Sequence, residues 1–229
     1  MNSILTLGVL LYFLVQHKFS ILFQASGIRH ERRHHVARKI YIDFGLNDGQ
    51  SLKTFLGDSI QNEDVGSKIT RANDGSETNG GLFSVNMWTP IDLSIPWDLF
   101  AFEANANYTN QLNEQRENII KNPRIKSYTL YSKTAITTYD GNITFINDCA
   151  QEGCSGDAGS TTMKDSRSAV GSRVIVNAMD ISTLFKIHSF TKNDYIVIKC
   201  DIEGGEYDLV RKIFVDGIID FIDQLAVEW

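Results

Sequence analysis

The run Tyr195-Ile196-Val197-Ile198 constrains this chain more than any other feature. It is apolar without alternation and too short for a buried helix, which predicts a strand covered on both faces. It leads straight into Lys199-Cys200-Asp201-Ile202-Glu203-Gly204-Gly205-Glu206. Tyr207, Val210, Ile213 and Phe214 then recur at helical spacing, predicting a helix with those four inward and Gly217 as its stop. An equivalent unit stands near the start. Ile40, Tyr41, Ile42 and Phe44 predict a buried strand, Gly45-Leu46-Asn47-Asp48-Gly49 a turn, and Leu52, Phe55, Leu56 and Ile60 a helix. Strand, glycine-bearing turn and helix, repeated, argue for a doubly wound α/β fold with a mostly parallel sheet.

The chain between these units supplies more of the same. Residues 99–102 predict a strand ending at Glu103, and Tyr108, Leu112 and Ile119 a helix that Pro123 terminates. Residues 125–131 predict a third strand. Residues 142–146 predict another, after the Asp140-Gly141 turn, paired with a neighbour as a hairpin. Val174 to Val176 form a short strand, and Asp180 caps a helix with Ile181, Leu184, Phe185 and His188 on one face. Residues 221–227 are the last strand. Gly, Asn, Asp and Ser mark residues 62–96 as a loop insertion, and residues 149–172 form a second Gly/Ser-rich loop.

With 229 residues there is room for one core-bearing domain, placed at 39–229. Residues 1–23 hold an apolar run from Ile4 to Val15 and a shorter one at 21–23. They read as a signal or membrane-anchor segment, so the expected location is membrane-associated in the secretory pathway. The sequons at Asn107 and Asn142 favour a lumenal domain, whereas Lys18 and the following arginines favour a cytosolic one. Residues 24–38 form a polar, basic stem. Its histidines match no closed metal-ligand spacing. A net charge of −6 gives a nucleic-acid partner no support. Cys149 and Cys154 are either a loop disulfide or two free thiols, and Cys200 reads as a small buried side chain.

Three stretches can carry chemistry. In a doubly wound sheet ligands bind at the carboxyl ends of strands, where strand order reverses. Asp43 there can face the cationic part of a ligand. Gly45 lets backbone approach a ligand, Asn47 tolerates a left-handed backbone, and Gly49 closes the turn. The same residues also fit a plain strand-to-helix turn. Glu103, at the end of the next strand, can accept hydrogen bonds from ribose hydroxyls. Lys199, Asp201 and Glu203 would share one face of a strand. Such crowding of acids suits a general base or a divalent metal ligand.

Together these stretches resemble the FkbM methyltransferase family. Its first motif, approximately D-x-G-A-N-x-G, reads here from Asp43 to Gly49 with Leu46 in place of alanine. Its F-E-P appears as Phe102-Glu103-Ala104, and its K-x-D-x-E-G-x-E is complete from Lys199 to Glu206. The resemblance implies a Rossmann-like class I methyltransferase, with further strands expected beyond Trp229 and the sheet therefore incomplete at the C-terminus. It implies S-adenosyl-L-methionine over residues 45–49, Glu103 on its ribose, and Ser132-Lys133-Thr134-Ala135 beside the adenine. Asp201, then Glu203, would be the base or metal ligand, and Lys199 would orient a carboxylate or the acceptor. The acceptor would be a hydroxyl of a glycan or small molecule. The competing readings are another nucleotide-binding Rossmann enzyme and a non-catalytic or truncated methyltransferase-like interaction domain.

Overall fold

A computed structural model describes residues 20–24, 37–56, 96–147 and 172–228. The apolar run at 4–15, most of the polar stem, the insertion at 62–95, the Cys149–Cys154 pair and Ile60 lie outside the described residues.

The elements run β1 (Ser20–Gln24), β2 (Lys39–Phe44), α1 (Gln50–Leu56), β3 (Trp97–Glu103) and α2 (Thr109–Ile119). There follow β4 (Ile125–Ser132), β5 (Thr134–Thr137), β6 (Gly141–Asn147) and β7 (Ser172–Asp180). The chain then forms α3 (Ile181–Ile187), β8 (Tyr195–Cys200), α4 (Glu206–Val215), a short 3-10 turn (Ile218–Phe221) and β9 (Gln224–Glu228). Six strands make the main sheet in the order β1-β9-β8-β2-β3-β4, all parallel except β1, which runs antiparallel to β9. The chain builds outward from β2 through β3 to β4, then returns to β8 and β9 on the other side. The order therefore reverses between β2 and β8.

Alternation along the central strands sorts the core into two faces. Ile40, Ile42, Phe44, Ile196 and Ile198 meet Ile181, Leu184, Leu209 and Ile213 from α3 and α4. Tyr41, Leu99 and Val197 meet Leu52 and Phe55 of α1 and Leu112 of α2. Helices cover both faces, as the doubly wound expectation requires, and Cys200 is buried and free.

Several expectations need correction. Residues 21–23 belong to β1, hydrogen-bonded along β9, rather than trailing a hydrophobic segment. The strand expected at 142–146 does pair antiparallel with the next strand, β7, although 24 residues separate the two. With β5 it forms a separate three-stranded sheet, β5-β7-β6. The chain leaves β4 for that sheet through Lys133, whose φ of 54° no strand can continue. In α4, Tyr207 and Phe214 point outward, 62% and 38% exposed, and the inward residues are Glu206, Leu209, Val210 and Ile213. Gly217 does end the segment in a left-handed conformation, and Asp180 caps α3 by accepting from the Ser182 amide at 2.7 Å. His188 follows α3, with Nε2 2.5 Å from the Tyr131 hydroxyl.

Arg38, assigned to the stem, is a clamp. Its guanidinium donates twice to Asp194, at 3.0 and 2.8 Å, and to the His188 and Ser189 carbonyls. Burial pushes the Asp194 carboxyl up, but Arg38 and the Thr191 amide and hydroxyl outweigh it and hold it below its ordinary value. A carboxyl depressed by folding contributes stability that is complete above the ordinary carboxylate range. That stability is lost as pH falls through the folded value. Arg38→Ala should cost about 1–3 kcal/mol near neutrality. Urea denaturation from about pH 7 down to about pH 3 should show the gap to wild type narrowing as Asp194 protonates. A gap independent of pH would remove Asp194 from the clamp.

Candidate active site

The crevice forms where strand order reverses. β2 ends at Phe44, and Gly45-Leu46-Asn47-Asp48-Gly49 turns the chain into α1. This turn is stitched to both neighbouring strands. The Gly45 and Leu46 amides donate to the Phe102 carbonyl at 3.1 and 2.9 Å, and the Asp201 amide donates to the Phe44 carbonyl at 3.0 Å. Gln111 and Gln115 of α2 donate to the Asp48 carbonyl from above. Asn47 has φ 54°, the left-handed conformation its side chain was expected to tolerate.

Both glycines make room for close packing. At Gly45, with φ +82°, a Cβ would lie 1.7 Å from the Asp201 carbonyl oxygen. Its missing side chain lets the β2 turn and the end of β8 touch. At Gly49, with φ +87°, a Cβ would meet Gln115 Oε1 at 2.2 Å. Gly49 thus faces α2 and not the crevice.

Asp43 also departs from expectation. It is fully buried, and its carboxylate lies 3.2 Å from Lys199 Nζ and accepts from Ser51 Oγ at 2.6 Å. It faces no ligand. Lys199, 2% exposed, donates to the Gly45 carbonyl at 2.5 Å and lies 3.5 Å from Asp201 Oδ2. Burial alone would lower its affinity for a proton, but Asp43 and Asp201 more than offset this, and the ammonium is held above its ordinary value. Lys199 therefore sits beneath the floor, joining the glycine turn to the acid above it. Burial also raises the Asp43 carboxyl, with Lys199 opposing.

The strand ends at Cys200, so Glu203 does not continue the face of Lys199 and Asp201. Glu203 instead takes φ 54° in the turn before α4 and is exposed. Glu206 explains the end of the motif. Its carboxylate folds back to accept from the Ile202 and Gly204 amides, each at 2.7 Å, and so fixes the turn. Glu103, 7% exposed, accepts from the Asn47 and Asn105 amides, both at 2.6 Å. Burial raises both carboxyls, and the amides oppose it.

Gly45, Asn47, Glu103, Asp201 and Glu203 all line one crevice of about 960 Å³, mouth included. The turn at 43–49 and the acid-rich turn at 201–205 therefore open onto a shared space. Asp43, Gly49 and Lys199 do not line it. Thr134 and Ala135 of the expected adenine segment do; Ser132 and Lys133 do not. The opposite wall comes from residues that sequence reasoning missed: Tyr108, Ile136, Tyr139, Ile143 and Phe145, with Asp208 at the α4 end. Their elements were partly legible, but not their place at the crevice, because Ile136, Ile143 and Phe145 come from the second sheet, whose packing no local pattern encodes.

The crevice suits an adenosine-bearing cation. Each Glu103 oxygen keeps a lone pair for a ribose hydroxyl, Ile143 and Phe145 offer apolar surface for a flat base, and Glu103, Asp201, Glu203 and Asp208 contribute carboxylates to the lining. Among the described residues no group of three His, Cys, Asp or Glu side chains stands close enough to hold a metal, so the expected divalent ion gains no ligand set.

The methyltransferase FkbM domain model matches residues 64–223. This chain belongs to the FkbM methyltransferase family. The matched span covers Glu103 and the whole Lys199–Glu206 segment. The turn at 43–49 precedes it and joins the site through the sheet. Members are methyltransferases, a class whose methyl donor is in general S-adenosylmethionine. Comparison with curated proteins and with solved structures gave no match.

Proposed function

We propose that this FkbM-family domain is an S-adenosylmethionine-dependent O-methyltransferase acting on a hydroxyl of a glycan or small molecule. The observation carrying this reading is the crevice itself. Glu103, the Gly45 turn and Asp201 come from three strand ends and meet at the point of strand-order reversal.

When bound, S-adenosylmethionine supplies an electrophilic methyl group. The chain supplies placement and a proton acceptor. Glu103 is held by two backbone amides and grips ribose hydroxyls without needing to reorganise. Asp201, with 27% of its side chain exposed, reaches the crevice from the end of β8 while Lys199 steadies it from below. Its free oxygen takes the acceptor's hydroxyl proton as the new bond forms, and binding holds the acceptor in line. Glu203 stands on the exposed lip and is the second candidate.

A lumenal, membrane-associated setting remains part of this proposal. It is supported by the apolar run in the sequence and by the exposure of both sequon asparagines, Asn107 and Asn142. Among the described residues no helix is long and apolar enough to cross a membrane.

Asp201→Asn tests the chemistry. The variant should keep its circular dichroism and its affinity for the neutral S-adenosylhomocysteine. Methyl transfer to a panel of glycan and small-molecule hydroxyls should fall by about 10²–10⁴. Turnover near wild type would remove Asp201 from the role of base.

A further inference from the structure

We propose that Glu206 is a positioning residue that aims both candidate bases, Asp201 and Glu203, into the crevice from behind the turn that carries them. The inference rests on the methyltransferase reading above and adds to it a residue that touches neither donor nor acceptor.

Glu206 opens α4 and is 5% exposed. It lies outside the lining of the crevice, whereas Asp201, Ile202, Glu203 and Gly205 belong to it. Its two carboxylate oxygens are divided between two amides. Oε1 accepts from Ile202 and Oε2 from Gly204, each at 2.7 Å. These are the amides that directly follow Asp201 and Glu203 in the chain. Each acid is thus joined to a peptide unit whose N–H is held by the same buried carboxylate.

A peptide unit is planar, so fixing its N–H fixes ψ of the residue before it, and with ψ the direction of that residue's side chain. At Asp201 the preceding side is held as well. Its own amide donates to the Phe44 carbonyl at 3.0 Å, and its carbonyl packs where a Cβ on Gly45 would stand. At Glu203 the hold works against strain. Glu203 has φ 54° and Gly204 has φ 109°. A side chain persists in the left-handed conformation where its surroundings over-determine it. Gly204 and Gly205 add backbone freedom that the clasp removes. The two donors use separate oxygens, which a carboxylate offers and a carboxamide does not.

Methyl transfer by the full 229-residue chain to the hydroxyl panel tests this, with S-adenosylhomocysteine titration and circular dichroism alongside. Glu206→Gln should lower kcat by about 10–100-fold, while the acceptor KM and the S-adenosylhomocysteine affinity change by less than about threefold. Glu206→Asp, which keeps both oxygens, should lose less than Glu206→Gln. Glu206→Ala vacates the place of a small carboxylate, so sodium formate should raise its kcat about threefold or more, and sodium chloride at the same ionic strength should not. Turnover of Glu206→Gln within about twofold of wild type would overturn the proposal. So would a loss of S-adenosylhomocysteine affinity in step with kcat, or no formate rescue in folded Glu206→Ala. Loss of the folded state in all three variants would make Glu206 purely structural and overturn it too. All of these outcomes leave the methyltransferase reading intact. A wild-type chain that binds S-adenosylhomocysteine but methylates no member of the panel would overturn the O-methyltransferase reading, and the role of Glu206 with it.

Discussion

Gly45→Ala should cost the domain on the order of 3–5 kcal/mol, enough to leave it unfolded or barely folded. Two penalties add. The residue must hold φ +82°, which a side chain strains, and its Cβ would sit 1.7 Å from a backbone oxygen that β8 and its hydrogen bonds fix. A flexible side chain could move aside, but the Asp201 carbonyl cannot move without separating β2 from β8. Gly217→Ala gives the scale. Its φ is +69°, yet a Cβ there would meet nothing within 4 Å, so only the backbone penalty of about 1 kcal/mol applies. Chemical denaturation of both variants separates the two costs. If Gly45→Ala lost no more stability than Gly217→Ala, the close contact between the two strand ends would be refuted.

Lys199→Met should be comparably severe, at about 3–5 kcal/mol, because it leaves the Asp43 carboxylate buried without its cation. Asp43 has no route to water at 0% exposure, and the neutral Ser51 and Tyr41 hydroxyls cannot offset its desolvation. Adding Asp43→Asn should recover at least about half of the loss, since a buried pair replaced as a unit costs far less than one broken. A double-mutant cycle by urea denaturation reads the coupling. Additive losses would show that the two side chains do not depend on each other, and the account of Lys199 as the tie beneath the crevice would fall.

Both predictions concern residues whose type was legible in the sequence while their purpose was not. The buried run at 195–198 and the glycine turn announced parallel strands, because burial on both faces writes an unbroken apolar run. That Gly45 and Asp201 lie in adjacent strand ends also followed from the doubly wound order. What Gly45 makes room for did not, since the oxygen it avoids lies over 150 residues away. Asp43 and Lys199 looked like ligand-facing charges, and only their register across β2 and β8 shows them paired with each other. Glu206 closes the K-x-D-x-E-G-x-E motif in the sequence, and only the structure shows it to be a backbone clasp. The same limit applies to Tyr207 and Phe214. Their spacing fits a helix, but the side of α4 facing the sheet is set by where the chain leaves β8. The wall from the second sheet could not be anticipated, because β5 and β7 pair across more than thirty intervening residues.

The direction of β1 bears on how the molecule would sit on a surface. Ser20 pairs with Glu228, and Gln24 with Gln224, so the chain enters this strand at the end of the sheet where the parallel strands finish. That is also the end where the crevice opens. A tag or partner joined directly at Ser20 would therefore stand on the side of the sheet from which the crevice is entered.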